Sequence, residues 1–276
     1  QARLDLSRIA VMVLSYAAQS ARGIGLPIVP QAEIDQGSTL AERFLLRWKG
    51  EADPKHVKAI DAYWSSAAEH GMNASTFTAR VITSTGADVA AAFSGAIGAM
   101  SGPLHGGANQ AVLEMLEDIK NNHDGDATDF MNRVKNKEKG VRLMGFGHRV
   151  YKNYDPRAAI VKDTAHEVLE HLGGDELLDL AMKLEEIALN DDYFIQRKLY
   201  PNVDFYTGLI YRAMGFPTDF FTVLFAIGRL PGWIAQYREQ LEMNTKINRP
   251  RQIYTGPTER DYVGIEEIGR ASCRER

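Results

Sequence analysis

Apolar residues recur at three- and four-residue spacing along nearly the whole chain, and alternating runs are almost absent, which restricts the fold to packed helices. Asn109 to Lys120 places Val112, Met115, Leu116 and Ile119 on one helical face. Pro156 to Leu172 begins with a proline at the first turn and stops at Gly173-Gly174. Asp175 then caps Glu176 to Leu189, whose apolar stripe is Leu177, Leu180, Ala181, Leu184 and Ile187. Arg3 to Arg22 and Tyr206 to Met214 read as further helices, the second ended by Gly215. Thr218 is expected to cap an apolar helix through Phe225, and Pro231 to open a separate one reaching Met243. The Ala-, Gly- and Ser-rich run Ala87 to Met100 predicts a buried helix, at a subunit interface or in the core. Only Val141 to Phe146 has an extended pattern, too short to define a sheet. The chain is expected to be all-α.

The remaining composition removes whole classes of function. A net charge of -4 and no basic run leave no electrostatic footprint for nucleic acid. No apolar stretch has the length of a membrane span. The single cysteine, Cys273, allows neither an internal disulfide nor a thiolate metal site and fits a reducing, cytoplasmic setting. His166 and His171 are five residues apart and share no helix face, so they are expected to be solvated, as are His56 and His123. No Gly-x-Ser-x-Gly elbow is present.

What remains is proton chemistry in three loops, Gly102-Pro-Leu-His105-Gly-Gly-Ala-Asn109, Gly145-Phe-Gly-His148-Arg149 and Tyr200-Pro-Asn-Val-Asp204. A carboxylate with two histidines suits removal of a proton next to a carbonyl: the carboxylate takes the proton, one histidine hydrogen-bonds to the developing enolate, and the other polarises an acceptor carbonyl. Arg157, Arg229 and Arg249 stand beside turn residues, where forked guanidinium groups can clamp carboxylates. The implied ligand is a small polyanionic acid.

Four segments, in this order, carry a specific resemblance: Ser101-Gly-Pro-Leu-His-Gly-Gly-Ala-Asn109, Leu143-Met-Gly-Phe-Gly-His-Arg-Val-Tyr151 through Asp155-Pro-Arg157, Pro201-Asn-Val-Asp204, and Asn248-Arg-Pro-Arg-Gln-Ile-Tyr-Thr255. With them the chain resembles the citrate synthase family, bacterial type, over residues 1 to about 266. The resemblance implies condensation of acetyl-CoA with oxaloacetate, followed by hydrolysis of citryl-CoA. It makes Asp204 the base, His105 the stabiliser of the enolate, and His148 the group that holds and protonates the oxaloacetate carbonyl. His70, Arg157 and Arg229 would bind oxaloacetate carboxylates, and Arg249 would reach the partner subunit's site. The backbone of Leu143, Met144, Gly145, Phe146 and Gly147 would contact the CoA adenine. Acetyl-CoA is then a substrate, and no metal or redox cofactor is implied.

The family's architecture implies a two-domain helical protomer, with residues 1–105 and 206–260 forming a large domain and 106–205 an inserted small domain that closes over it. It further implies a homodimer or higher homo-oligomer. The alternatives are a 2-methylcitrate synthase using propionyl-CoA, which shares the three proton-handling residues, and a catalytically inactive protein of the same fold. Because the chain lacks an initiator methionine and opens directly in a helix, it is expected to begin inside a longer protein. Residues 267–276 depart from the preceding pattern and are expected to be a non-native tail.

Overall fold

The computed structural model describes residues 2–23, 25–148, 150–151, 153–243, 246–259, 261–262 and 264. The expected tail at 267–276 and Cys273 lie outside the described residues. Among the described residues thirteen α-helices follow one another: α1 (Ala2–Arg22), α2 (Gln31–Ile34), α3 (Leu40–Lys49), α4 (Pro54–Ala67), α5 (Ala74–Thr83), α6 (Val89–Met100), α7 (Ala108–Asn122), α8 (Ala127–Lys135), α9 (Pro156–His171), α10 (Glu176–Asn190), α11 (Asp192–Gln196), α12 (Asp204–Ala213) and α13 (Phe221–Glu242). No strand occurs among the described residues. The extended piece near Val141–Phe146 reduces to a single antiparallel bridge from Phe146 to Pro201. The protein is all-α. No described helix is long and apolar enough to cross a membrane.

Caps fix many of the boundaries. Asp175 accepts from the Leu177 amide at 2.7 Å and starts α10. Asp155 accepts from the Arg157 amide at 3.0 Å and starts α9, with Pro156 in its first turn. Asp88, not Ala87, sets the start of α6, accepting from the Ala91 amide at 2.8 Å. Helix α12 begins at Asp204, two residues earlier than its apolar pattern suggests.

The end of the chain differs from the expected pair of helices. Thr218–Phe220 is a single 3-10 turn without a side-chain cap, and α13 runs unbroken through Pro231. A proline inside a helix gives no N–H to the carbonyl four residues back, here Ile227, at a cost of about 3 kcal/mol. Burial on both sides outweighs that cost. Leu224 and Ile227 enter a core cluster with Tyr63, Leu113, Val161, Leu184 and Phe205. Leu230, Trp233 and Tyr237 enter a second with Leu6, Ala79, Phe93 and Met100. Helix α13 is therefore the strut shared by both cores.

Helix α6 packs tightly on α5. A Cβ at Gly95 would lie 2.2 Å from the Ile82 Cδ1 atom, so a larger residue there would have to displace the end of the Ile82 side chain. Ala92, Phe93, Ala96 and Met100 form its buried face, while Ala90, Ala91, Ser94, Ile97 and Gly98 are exposed. Helix α12 packs against α7 and α9, and α4 against α9. These contacts gather the start of α5, the α6–α7 turn, the 143–155 loop and the start of α12 around the middle of α13.

Candidate active site

His105 ends the turn after α6, and its Nε2 faces the first turn of α5. The Ser75 amide reaches that nitrogen at 3.3 Å and the Ser75 hydroxyl at 2.9 Å. An amide can only donate, so Nε2 is an acceptor and the ring proton of the neutral imidazole sits on Nδ1. The Ser75 oxygen also accepts from the Trp233 indole at 3.2 Å, and its one hydroxyl hydrogen is in donating range of Asn73 Oδ1 at 2.8 Å as well as of His105 Nε2. Burial, and then the positive charge of Arg229, lowers the His105 pKa. The ring is thus a neutral Nδ1–H donor at pH 7.

His148 is held in the opposite tautomer. Its Nδ1 accepts from the Val150 amide at 3.0 Å and the Tyr151 amide at 3.1 Å, which leaves the proton of the neutral ring on Nε2. Its loop has a tight shape that two glycines permit. Gly145 and Gly147 both have φ of +76°, and a Cβ at Gly145 would lie 2.6 Å from Val112 and 2.9 Å from Phe205. The loop is stitched to the segment before Asp204: Gly147 donates to the Tyr200 carbonyl at 2.7 Å, Asn202 to Gly145 at 2.9 Å, and the Asn202 side chain to the Gly147 carbonyl at 3.0 Å. Phe146 adds an edge-on contact with Phe205 at 4.6 Å. Leu143 and Met144 are half-buried at the same rim.

Asp204 opens α12, its amide donating to the Asn202 side chain at 3.0 Å. Burial pushes its carboxyl up to about 6, with Asp155 adding to the rise while Arg157 and Arg229 oppose it. Asp155, buried below, accepts from Arg157 Nε at 3.0 Å and Nη2 at 2.9 Å, and from the Val203 amide at 3.1 Å. One carboxylate thereby fixes both Arg157 and the backbone leading into Asp204. That clamp leaves Arg157 Nη1 unused.

Arg229 lies on α13 with 2% exposure. Its Nε donates to the Ala67 carbonyl at 2.5 Å, its guanidinium stands 5.0 Å from the Phe225 ring, and its Nη1 is buried with no acceptor. His70, in the turn after α4, also has a buried Nε2 without a partner. Burial, then the charges of Arg157, His148 and Arg229, drives its pKa down to about 4, so its ring is neutral at pH 7. The His70 and His148 rings meet edge-on at 5.1 Å. Polar groups buried without partners cost stability, which points to a ligand that completes them.

The structure therefore brings His70, His105, His148, Arg157, Asp204 and Arg229 together, with the 143–147 loop alongside. Arg249 is exposed and is not among them. Sequence reasoning assigned no roles to Ser75, Asn73, Asp155 and Tyr151; Asp155 alone had a local signal, as the residue before a proline that starts a helix. Of the other histidines, His171 is exposed, whereas His56 is half-buried with its Nε2 shielded, contrary to expectation. Packing of α4 against α9 covers it. His123 is half-buried beside Arg133, and His166 is half-buried too.

Residues 2–251 match the citrate synthase C-terminal domain family. Citrate synthase of Corynebacterium glutamicum is 63% identical, over 97% of this chain and 63% of that protein. Citrate synthase 1 of Mycobacterium tuberculosis is 55% identical, over 96% and 63%. The chain thus spans about 63% of the length of these curated relatives. Among solved structures, citrate synthase from Pyrobaculum aerophilum aligns with a TM-score of 0.78 at 39% identity, covering 92% of this chain and 62% of that one. A ternary complex of carboxymethyl coenzyme A and oxaloacetate with citrate synthase from Thermoplasma acidophilum aligns with a TM-score of 0.80 at 32% identity, covering 95% of this chain and 68% of that one.

Proposed function

The chain belongs to the citrate synthase family, and from that premise we propose that its site condenses acetyl-CoA with oxaloacetate and hydrolyses citryl-CoA to citrate and CoA. The observation that carries this reading is the buried Arg229 Nη1 without an acceptor, a cationic donor that a substrate carboxylate would satisfy. His70 and the unused edge of Arg157 complete the receptor for a dicarboxylate. Asp204, its proton affinity raised, takes a proton from the acetyl methyl group as the thioester carbonyl becomes an enolate. His105 donates its Nδ1 hydrogen to that oxygen. The enolate carbon bonds to the oxaloacetate carbonyl carbon, and His148 gives its Nε2 proton to the oxygen that becomes the hydroxyl. Water then cleaves the thioester. Carbon–carbon bond formation and hydrolysis move protons and no net electrons, so no redox cofactor is assigned. No specific observation favours the propionyl-CoA alternative.

Two copies are proposed to form the working unit. Arg249 is exposed, as a residue serving another subunit's site would be, and α6 offers a face of small residues. The 106–205 insert is proposed to close over the rest. A cytoplasmic location fits the single cysteine. Sedimentation is expected to give twice the chain mass, and a monomer at micromolar concentration would remove the dimer from the reading.

The activity test is release of CoA thiol from acetyl-CoA, dependent on oxaloacetate; no release overturns the proposal. Arg229→Leu is expected to weaken oxaloacetate binding about a hundredfold, the scale of lost charged hydrogen bonds. Its melting temperature should fall little, because removal of a half-unpaired buried charge offsets the lost bond to Ala67. Calorimetry showing unchanged affinity would contradict the assignment of Arg229.

A further inference from the structure

The rings of His70, His148 and Tyr151 form a triangle at the dicarboxylate receptor. His70 lies 5.1 Å from His148 and 5.7 Å from Tyr151, and His148 lies 4.8 Å from Tyr151. The Arg157 guanidinium stands 5.5 Å from the Tyr151 ring centroid. Three groups proposed to hold the acceptor acid are therefore in contact with a fourth that has no ring nitrogen to offer. We propose that Tyr151 is the specificity-determining wall of the 2-oxo acid site, setting the longest dicarboxylate that fits between His148 and the arginines.

The inference rests on the proposed citrate synthase reading and deepens it. Tyr151 is bound to His148 by sequence and by hydrogen bond, since its own amide fixes the His148 tautomer at 3.1 Å. The carbonyl-holding group and the wall are thus presented by one short turn, whose backbone that bond ties to the His148 ring. A rigid aromatic ring also shields the His70 and His148 faces from water and supports Arg157 by cation–π attraction. Its two rotatable side-chain bonds make it stiffer than an aliphatic residue of similar reach. A fixed apolar wall discriminates against one extra methylene by roughly 10- to 200-fold.

The test is equilibrium binding of oxaloacetate and of 2-oxoglutarate, one methylene longer, to the unmodified chain and to Tyr151→Phe and Tyr151→Leu. The unmodified chain is expected to prefer oxaloacetate by at least about tenfold, and Tyr151→Phe, which keeps the ring, to retain that ratio. Tyr151→Leu should lose most of it through weaker oxaloacetate binding and stronger 2-oxoglutarate binding, with an unchanged melting temperature confirming an intact fold. A purely structural role would weaken both acids together and leave their ratio alone. If Tyr151→Leu keeps the ratio, the wall is overturned while the dicarboxylate reading stands. If the unmodified chain binds neither acid, both fall.

Discussion

Asp204→Asn is expected to lower the condensation rate on the order of a thousandfold while making the folded chain more stable above neutral pH. The carboxyl of Asp204 is raised by burial to about 6 from 3.8. A group whose proton affinity is higher when folded favours the fold below its unfolded value, and that contribution is lost as pH rises through about 6. At pH 8 the ionised carboxylate therefore costs about 2–3 kcal/mol, which a neutral amide of the same shape avoids. Melting temperatures of the two chains should coincide near pH 4 and separate by several degrees at pH 8, with the variant higher. The unmodified protein should also lose kcat/KM as pH falls below about 6, where the base becomes protonated. Retention of more than a tenth of the rate by the variant, or equal melting at pH 8, would remove Asp204 from the role of a destabilised base.

Asp155→Ala carries the largest expected stability loss. The carboxylate has 1% exposed side-chain area and accepts from Arg157 and from the Val203 amide. Burial alone would raise its pKa, but the hydrogen bonds and charge of Arg157, with the Val203 amide, hold it below 3.8. Its contribution is thus present above the ordinary carboxylate value and lost as pH falls through the lower folded one. Removing one partner of a buried pair leaves an uncompensated charge and costs about 3–5 kcal/mol. For a chain of this size that is roughly a 10 °C drop in melting temperature. The double variant with Arg157→Leu should recover part of the loss, because the stranded guanidinium is gone. If the double variant is as unstable as the sum of the two single changes, the pair is not the source.

Much of the helical framework was legible because its signals are local. The Asp155-Pro156 start of α9 and the Asp175 start of α10 need only neighbouring residues to act. Pro231 misled for the complementary reason: its local penalty is real, and the two cores that outweigh it come from helices far away in the chain. His105, His148 and Asp204 were legible as a set of proton-bearing residues, and the glycines beside the two histidines as tight turns. Their protonation was not. The His105 tautomer depends on Ser75, thirty residues earlier, and the Asp204 backbone depends on Asp155, 48 residues from Val203. His56 looked solvated among polar neighbours because the helix that covers it begins a hundred residues later.

The stitching of the Gly145–Gly147 turn to Tyr200 and Asn202 has a mechanical consequence. His148 and Asp204 ride on one body, whereas His105 is tethered separately to Ser75 at the start of α5. The bonds that hold Asp204 and His148 in register with each other do not include His105. Under the proposed reaction, the base and the proton donor to the acceptor thus share one mechanical support, and the oxygen donor to the enolate has another.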